Sequence, residues 1–344
     1  VKFKNHKVGL TLLHIQNGEQ KAGIFDQRTL IGSDNRIIKD NLEYSERSIT
    51  NALLTGKHSF KGGDFEIEWK LSPTLSKIDD KDVRVAAFRI EGGDYKIEPS
   101  EGALPRRIWR FLDEENYTGR IDLTSKLSLG NRTGKIKFGA SNTLKMRDYS
   151  IFNFEFRTQG DVELSGDPND ILLPENIWTP SNREGVYVVG NSEPANMYEA
   201  EQNVFGGYLM GELPVADKIK AVVGVRAEQF IHKYTGQNNF GDIVLNDEKL
   251  LDQLDFLPAV NLIYSLNDNK NLRASFSRTL ARPSFKELSI AQIYDALSDR
   301  TYIGNLNLQV TNISNFDLRW ELFQDAGQMF SVSGFYKDFT NPIE

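Results

Sequence analysis

Between Phe316 and Leu322 the chain sets Phe316, Leu318, Trp320 and Leu322 in strict alternation with Asp317, Arg319 and Glu321. Residues two apart share one face of an extended strand, so this stretch has a bulky apolar face and a fully charged one. That contrast is more than a soluble sheet needs. A strand with lipid on one side and water on the other explains it: a charge at the lipid-facing midplane costs roughly 2–4 kcal/mol, whereas a wet interior face accepts it freely. The pattern recurs. Phe65, Ile67, Trp69 and Leu71 oppose Glu66, Glu68, Lys70 and Ser72, and Leu272, Ala274 and Phe276 oppose Arg273, Ser275 and Ser277.

Mean hydropathy is −0.44, too polar for a bundle of spanning helices. No apolar run approaches the roughly 18 residues such a helix requires, the longest being Ala221 to Val225. A spanning strand needs apolar residues only at alternate positions, so either the chain is soluble or it spans as a barrel. The absence of cysteine removes disulfide frameworks, thiolate zinc sites and thiol catalysis together. A net charge of −7 argues against a nucleic-acid partner, whose footprint should be basic. The four histidines, His6, His14, His58 and His232, include no pair one helical turn apart, and no metal or cofactor is expected.

Scanning for a period of two gives about eleven strands separated alternately by short turns and long polar stretches. Lys7 to His14 is the first strand, followed by a polar stretch from Gln16 to Asn41. Glu43 to His58 leads through Lys61-Gly62-Gly63-Asp64 into the Phe65 strand, the glycine pair supplying the positive φ of a tight turn. Pro73 to Asn116 reads as loop holding a short hairpin, Val83–Arg89 with Asp94–Ile97. Hairpins follow at 120–146, turning at Gly130-Asn131, and at 203–230, turning at Pro214–Asp217, with Tyr149 to Gln202 as the longest loop between them. Phe256–Leu266 pairs with Asn271–Arg278. A loop follows in which Pro283, Phe285, Leu288, Ala291, Ile293, Ala296 and Leu297 fall at helical spacing, predicting a short helix. The last two strands hinge at Gln324-Asp325-Ala326-Gly327. Long connections gathered at one end belong to outer-membrane barrels, and eleven strands is half of the twenty-two-stranded class with a plugged lumen.

The residues also carry a resemblance. Ser277-Arg278-Thr279-Leu280-Ala281-Arg282-Pro283-Ser284-Phe285-Lys286-Glu287-Leu288, then Arg300–Asn305, Asn315–Glu321 and Phe335-Tyr336-Lys337, resemble the C-terminal barrel region of TonB-dependent outer-membrane receptors, most of all the large Bacteroidota-type receptors. Tyr198–Ala200, Gly207-Tyr208 and Val223–Glu228 continue it upstream. The resemblance implies residues 1–344 as part of a transmembrane antiparallel β-barrel with long extracellular loops in the bacterial outer membrane. The plug domain, the signal peptide and the barrel's C-terminus would lie outside this chain. It implies import of an oligosaccharide, peptide or metal chelate, powered through the TonB complex by a segment outside the chain. Outer-membrane lipids surround such a barrel, and a surface lipoprotein can cap its loops. A non-transporting scaffold or adhesion barrel, and a soluble carbohydrate-binding sandwich, are the alternatives.

No catalytic set is expected. Glu66 with Glu68, and Asp317 with Glu321, are carboxylates on one strand face, but each pair sits beside Lys70 or Arg319 on what reads as a wet wall. The Asp79-Asp80-Asp82 and Asp167-Asn169-Asp170 clusters lack the spacing of a calcium loop and read as solvated loops. Alternation makes Arg273, Asp317, Arg319 and Glu321 the lumen-facing candidates. Trp109, Phe111 and Tyr117 in one loop, and Trp178, Tyr187 and Tyr198 in another, offer rings for stacking on ligand, so Trp109, Trp178 and Tyr187 are the loop-contact candidates. Arg278 and Arg282 with Pro283 carry the strongest part of the resemblance, which does not itself place them on ligand; they read first as pins for the strand end and loop helix, with Arg282 kept as a further contact candidate.

Overall fold

The computed structural model describes residues 2–29, 35–97, 104–190, 193–295, 300–324 and 327–343. The strands, in chain order, are β1 Lys2–Phe3, β2 His6–Thr29, β3 Asn35–Phe60, β4 Phe65–Glu91, β5 Asp94–Lys96, β6 Arg106–Leu129, β7 Arg132–Gln159 and β8 Gly185–Gly190. They continue as β9 Met197–Ala216, β10 Ile219–Gln237, β11 Val244–Asn267, β12 Lys270–Ala281, β13 Ile293–Asp295, β14 Arg300–Tyr302, β15 Thr311–Phe323 and β16 Met329–Thr340. Eleven of these run for twelve residues or more. They form one antiparallel meander, β1-β2-β3-β4-β6-β7-β9-β10-β11-β12-β15-β16, with β5 added beside β4 and β8 beside β7. This is the wall of a transmembrane β-barrel, present in part.

Register fixes the two faces. Ile67 stands opposite Leu123, Leu123 opposite Phe138, and Phe138 opposite Leu209. Farther along, Val225, Pro258, Val260, Phe276 and Phe316 occupy the same face through successive pairings. Leu209, Val223, Val225, Leu318 and Val332 are exposed there, as lipid-facing residues must be. On β4 the apolar run from Phe65 to Pro73 covers about 9 residues, matching the 9–11 that cross a bilayer at a tilt. A one-residue slip in any pairing would turn the charged set to lipid, so the register is tightly held.

The strands continue far beyond that band, which corrects the expected loops. β4 has 27 residues and β7 has 28. Much of Gln16–Asn41, Pro73–Asn116 and Tyr149–Gln202 is therefore strand, and Trp109, Phe111 and Tyr117 lie on β6 rather than in a loop. Above the membrane both faces can meet water or protein, so the apolar alternation fades while the backbone ladder continues. Opposite charges stand at facing register positions instead, as Lys21 opposite Glu43 and Lys77 opposite Asp113. Of the expected hairpin of Val83–Arg89 with Asp94–Ile97 only the tip forms, Arg89–Glu91 pairing with Asp94–Lys96, while Val83–Phe88 pair with β3.

The turns that join β3 to β4, β6 to β7, β9 to β10 and β11 to β12 lie at one end. Gly62 (φ 67°) and Gly63 (φ 97°) make the β3–β4 turn, and Gly130 (φ 60°) makes the β6–β7 turn. The hinge at Asp325 and Ala326 falls outside the described residues. The opposite end carries residues 92–105, 160–196, 238–243 and 282–310, the extracellular side by the usual asymmetry of such barrels.

The predicted helix after Pro283 is a single turn. The Ser284 side chain and Glu287 cap each other, with Ser284 N–H donating to Glu287 Oε2 at 2.7 Å and Glu287 N–H to Ser284 Oγ at 3.3 Å, and Leu288 N–H reaches Ser284 O at 3.1 Å. The chain then extends into β13, which pairs with β14. Phe285, Leu288 and Ala291 recur as a helix's apolar face would because all three are buried by the wall. Ala296 and Leu297 lie outside the described residues.

Candidate functional site

The polar face holds two clusters of paired side chains, one spanning β6 to β9 and one spanning β7 to the end of β12. On β6, Arg120 Nε donates to Asp122 Oδ2 at 2.7 Å. The Tyr208 hydroxyl of β9 reaches over β7 to the same carboxylate. It crosses at Gly139, where any Cβ would lie 2.5 Å from Ile121 O and 2.8 Å from the Tyr208 ring. Arg226 of β10 likewise reaches over β9 at Gly206 to donate to Ser141 Oγ at 3.0 Å. Arg226 also pairs with Glu228, and Glu228 pairs with Arg282 at the end of β12. Arginine forks suit such crossings because one guanidinium can serve two acceptors.

Above these clusters the wall turns aromatic. Tyr149, Tyr198 and Tyr234 form a ladder across β7, β9 and β10, with ring centres 5.2 and 5.3 Å apart. Burial raises all three phenols, Tyr149 to about 12. The 282–310 segment folds onto the ladder. Phe285 and Ala291 pack with Val83, Ile108, Ile151 and the tyrosines in one buried cluster. The Arg147 guanidinium lies 4.7 Å from the Phe285 ring centre, and the His232 ring 5.6 Å from it. Gln292 N–H donates to Asn196 Oδ1 at 3.0 Å, and Gln202 Nε2 donates to Pro283 O at 3.2 Å, so the wall grips the segment at both ends of its turn. His232 is completely buried with neither ring nitrogen hydrogen-bonded, and desolvation pushes it down to about 4.

Arg273, Arg319 and Glu321 come together farther round the wall. Arg273 and Arg319 are direct cross-strand partners, and Glu321, only 5% exposed, accepts from Arg273 Nε at 2.7 Å and pairs with Arg319 Nε at 3.1 Å. Asp317 accepts from Ser275 Oγ at 3.3 Å, on the same face. Arg282 sits with the lumenal clusters rather than in the outer loops, its guanidinium 5.0 Å from the Phe230 ring centre. Trp178 lies in the connection between β7 and β8, whereas Tyr187 is on β8 opposite Arg157 rather than in a loop; Gly185 (φ 137°) lets Trp178 N–H donate to Val186 O at 2.9 Å. Trp109 stands apart on the opposite face of β6, edge-on to Phe154 at 5.5 Å and beside Arg107.

Of the tyrosine ladder the sequence singles out only Tyr198, as a ring in a loop, and the Asp122–Tyr208 crossing is absent from the sequence-derived candidates. Arg120, Asp122, Arg226 and Glu228 carry the same alternation signal as Arg319 and were available to it. The tyrosines were not, because Tyr149 and Tyr198 sit where that signal has faded.

A protein-family model described as TonB dependent receptor-like, beta-barrel matches residues 10–344. No curated protein matches the chain by sequence. Among solved structures, the open form of the ferric-catecholate import receptor Fiu from E. coli K12 is similar, with a TM-score of 0.51 and 11% identity over 99% of this chain and 56% of that one. The siderophore receptor PiuA from Acinetobacter baumannii gives a TM-score of 0.47 and 12% identity over 97% of this chain and 53% of that one. The chain thus spans about half the length of the solved structures it matches.

Proposed function

The chain belongs to the TonB-dependent receptor β-barrel family of the bacterial outer membrane, and from that premise we propose that it forms part of the wall and outer mouth of a nutrient importer. The family is one of transport receptors rather than enzymes. The observation that carries the reading is the lumenal face itself. Two charged clusters, Arg120–Asp122–Tyr208 and Ser141–Arg226–Glu228–Arg282, stand opposite an apolar lipid face, and a capped segment is folded onto an aromatic ladder at the mouth. Such a lumen supplies both what a polar cargo exchanges hydrogen bonds with and a part that can yield to it.

The cargo classes that suit this mouth are an oligosaccharide, a peptide or a metal chelate. Each would meet stacking rings and guanidinium donors, with Trp178, Tyr187 and Arg282 as contact candidates. Transport draws on the TonB complex through a segment beyond these residues, and a surface lipoprotein over the loops is compatible with the exposed 160–196 segment.

The experiment is uptake of labelled chelate, peptide and oligosaccharide pools by cells carrying the full-length protein, with and without TonB. Import of one pool that disappears both on deletion of the receptor and on deletion of TonB is the expected result. Uptake of every pool unchanged by receptor deletion would instead favour a non-transporting scaffold.

A further inference from the structure

The end of the barrel with the short turns carries an aromatic cluster on the lipid-facing side. Phe3, His6, His58, Phe60, Phe65 and Trp69 gather within a few residues of the turns at Lys4-Asn5 and Lys61–Asp64. His6 lies 5.3 Å from His58 and 5.6 Å from Phe60 between ring centres, and Phe60 lies 6.1 Å from Phe65. Aromatic rings at this height mark the headgroup level of a bilayer, here the periplasmic leaflet.

The hydrogen bonds within the cluster run in one direction. An indole N–H can only donate. Trp69 Nε1 donates to His58 Nε2 at 3.0 Å, so that nitrogen is unprotonated and His58 carries its proton on Nδ1. His58 Nδ1 lies 3.2 Å from His6 Nδ1, so His58 donates and His6 accepts. The proton of neutral His6 is thereby fixed on Nε2. A belt tryptophan ordinarily presents its own N–H to the interface. Here Trp69 has spent it, and two imidazoles pass the donor role to His6.

Two donors at this end remain unspent. His6 is half-buried, and its Nε2–H has no partner among the described residues. Lys4, exposed in the turn two residues away with φ 40°, has no ion pair among them. An imidazole N–H two residues from an exposed ammonium, at headgroup level, matches the oxygens of one anionic phosphoryl group. We propose that the Trp69–His58–His6 relay, with Lys4 as counter-charge, binds the phosphate of a phospholipid in the periplasmic leaflet. The lipid's chains then lie against Val8, Leu10 and Leu54 on the adjoining apolar surface. The site holds the barrel at a fixed depth, and it is independent of what the receptor imports.

The test is native mass spectrometry of the full-length protein released from nanodiscs, with heat-modified gel migration confirming that each variant is folded. In phosphatidylethanolamine discs the wild type retains a lipid that His6→Phe, which keeps the ring and removes the donor, retains about tenfold less. That is the expected scale for a hydrogen bond to a charged oxygen. Trp69→Phe frees the His58 tautomer and Lys4→Gln removes the counter-charge, so each lowers retention, whereas Phe60→Leu does not. Discs of a phosphorus-free glucosyl diacylglycerol give no such retained lipid. Equal retention of that glycolipid, or full retention by folded His6→Phe, overturns the proposal. Displacement by millimolar inorganic phosphate would show an adventitious ion only and overturn it as well.

Discussion

The Arg147 guanidinium of β7 lies 4.7 Å from the centre of the Phe285 ring, so a charge on the barrel wall is capped by an aromatic residue from the segment folded across it. Phe285 is 3% exposed and also meets His232 and the tyrosine ladder. Replacing it with alanine leaves a cavity and an uncapped guanidinium. Phe285→Ala should loosen the 282–310 segment by about 3 kcal/mol while the strands persist, since the ladder hydrogen bonds are untouched. Hydrogen exchange at the Leu288 amide, now bonded to Ser284 O at 3.1 Å, should rise about a hundredfold. Unchanged exchange there would show that Phe285 does not hold the segment.

The segment's hold should also depend on pH, through His232. Desolvation lowers this imidazole to about 4 against an ordinary 6.5, so the packed state favours the neutral ring. A group depressed in this way contributes stability that is complete above pH 6.5 and is lost as pH falls toward 4. Two to three pH units correspond to about 3 kcal/mol at most. The groups around it do not rescue the cation: Gln202 and Leu251 are its cross-strand partners, and Arg147 and Arg282 flank the adjoining rings of Phe285 and Phe230. Limited proteolysis of the full-length protein should cut the 282–310 segment faster at pH 5 than at pH 7.5. In His232→Leu the difference should vanish.

Much of this fold was legible because lipid imposes a rule that water does not. Where one face meets hydrocarbon, Phe316, Leu318 and Trp320 must alternate with Asp317 and Arg319, and strands such as β4, β6, β7 and β15 betray themselves by such runs, whereas Lys7–His14 is only weakly patterned. Above the bilayer the rule lapses, so the upper halves of β4, β6 and β7 read as loop although their ladders continue. The helical spacing of Phe285, Leu288 and Ala291 misled for a related reason. A single capped turn followed by extended chain can bury the same three side chains against a curved wall. Arg273 and Glu321 were legible as lying on the polar faces of their strands, but their partnership was not, since only the register places Arg273 opposite Arg319.

The Asp122–Tyr208 crossing depends on a missing side chain. A Cβ at Gly139 would fall 2.5 Å from Ile121 O, a backbone atom that cannot swing away. Gly139→Ala should therefore displace Tyr208 and cost about 1–3 kcal/mol. Gly334→Ala on β16, where nothing lies within 4 Å, serves as the matched control and should be near neutral. Urea midpoints in lipid vesicles, read by tryptophan fluorescence, decide it. Equal midpoints for the two variants would mean that the crossing adds nothing.

Glu321 resolves a conflict that the register creates. Arg273 and Arg319 stand directly opposite each other across β12 and β15, an arrangement of like charges that destabilises a sheet unless something intervenes. Glu321 pairs with both from one rung away. Glu321→Gln leaves the two guanidiniums facing each other. Both are about a third exposed, which screens their repulsion, so the expected loss is about 1–2 kcal/mol rather than the larger cost of a fully buried orphan charge. The decisive comparison is the double variant Glu321→Gln with Arg319→Ser. If the repulsion is what Glu321 relieves, the second substitution restores most of the lost urea midpoint; if Glu321 only packs, the two losses add. Raising salt from 50 to 500 mM should narrow the single variant's deficit for the same reason.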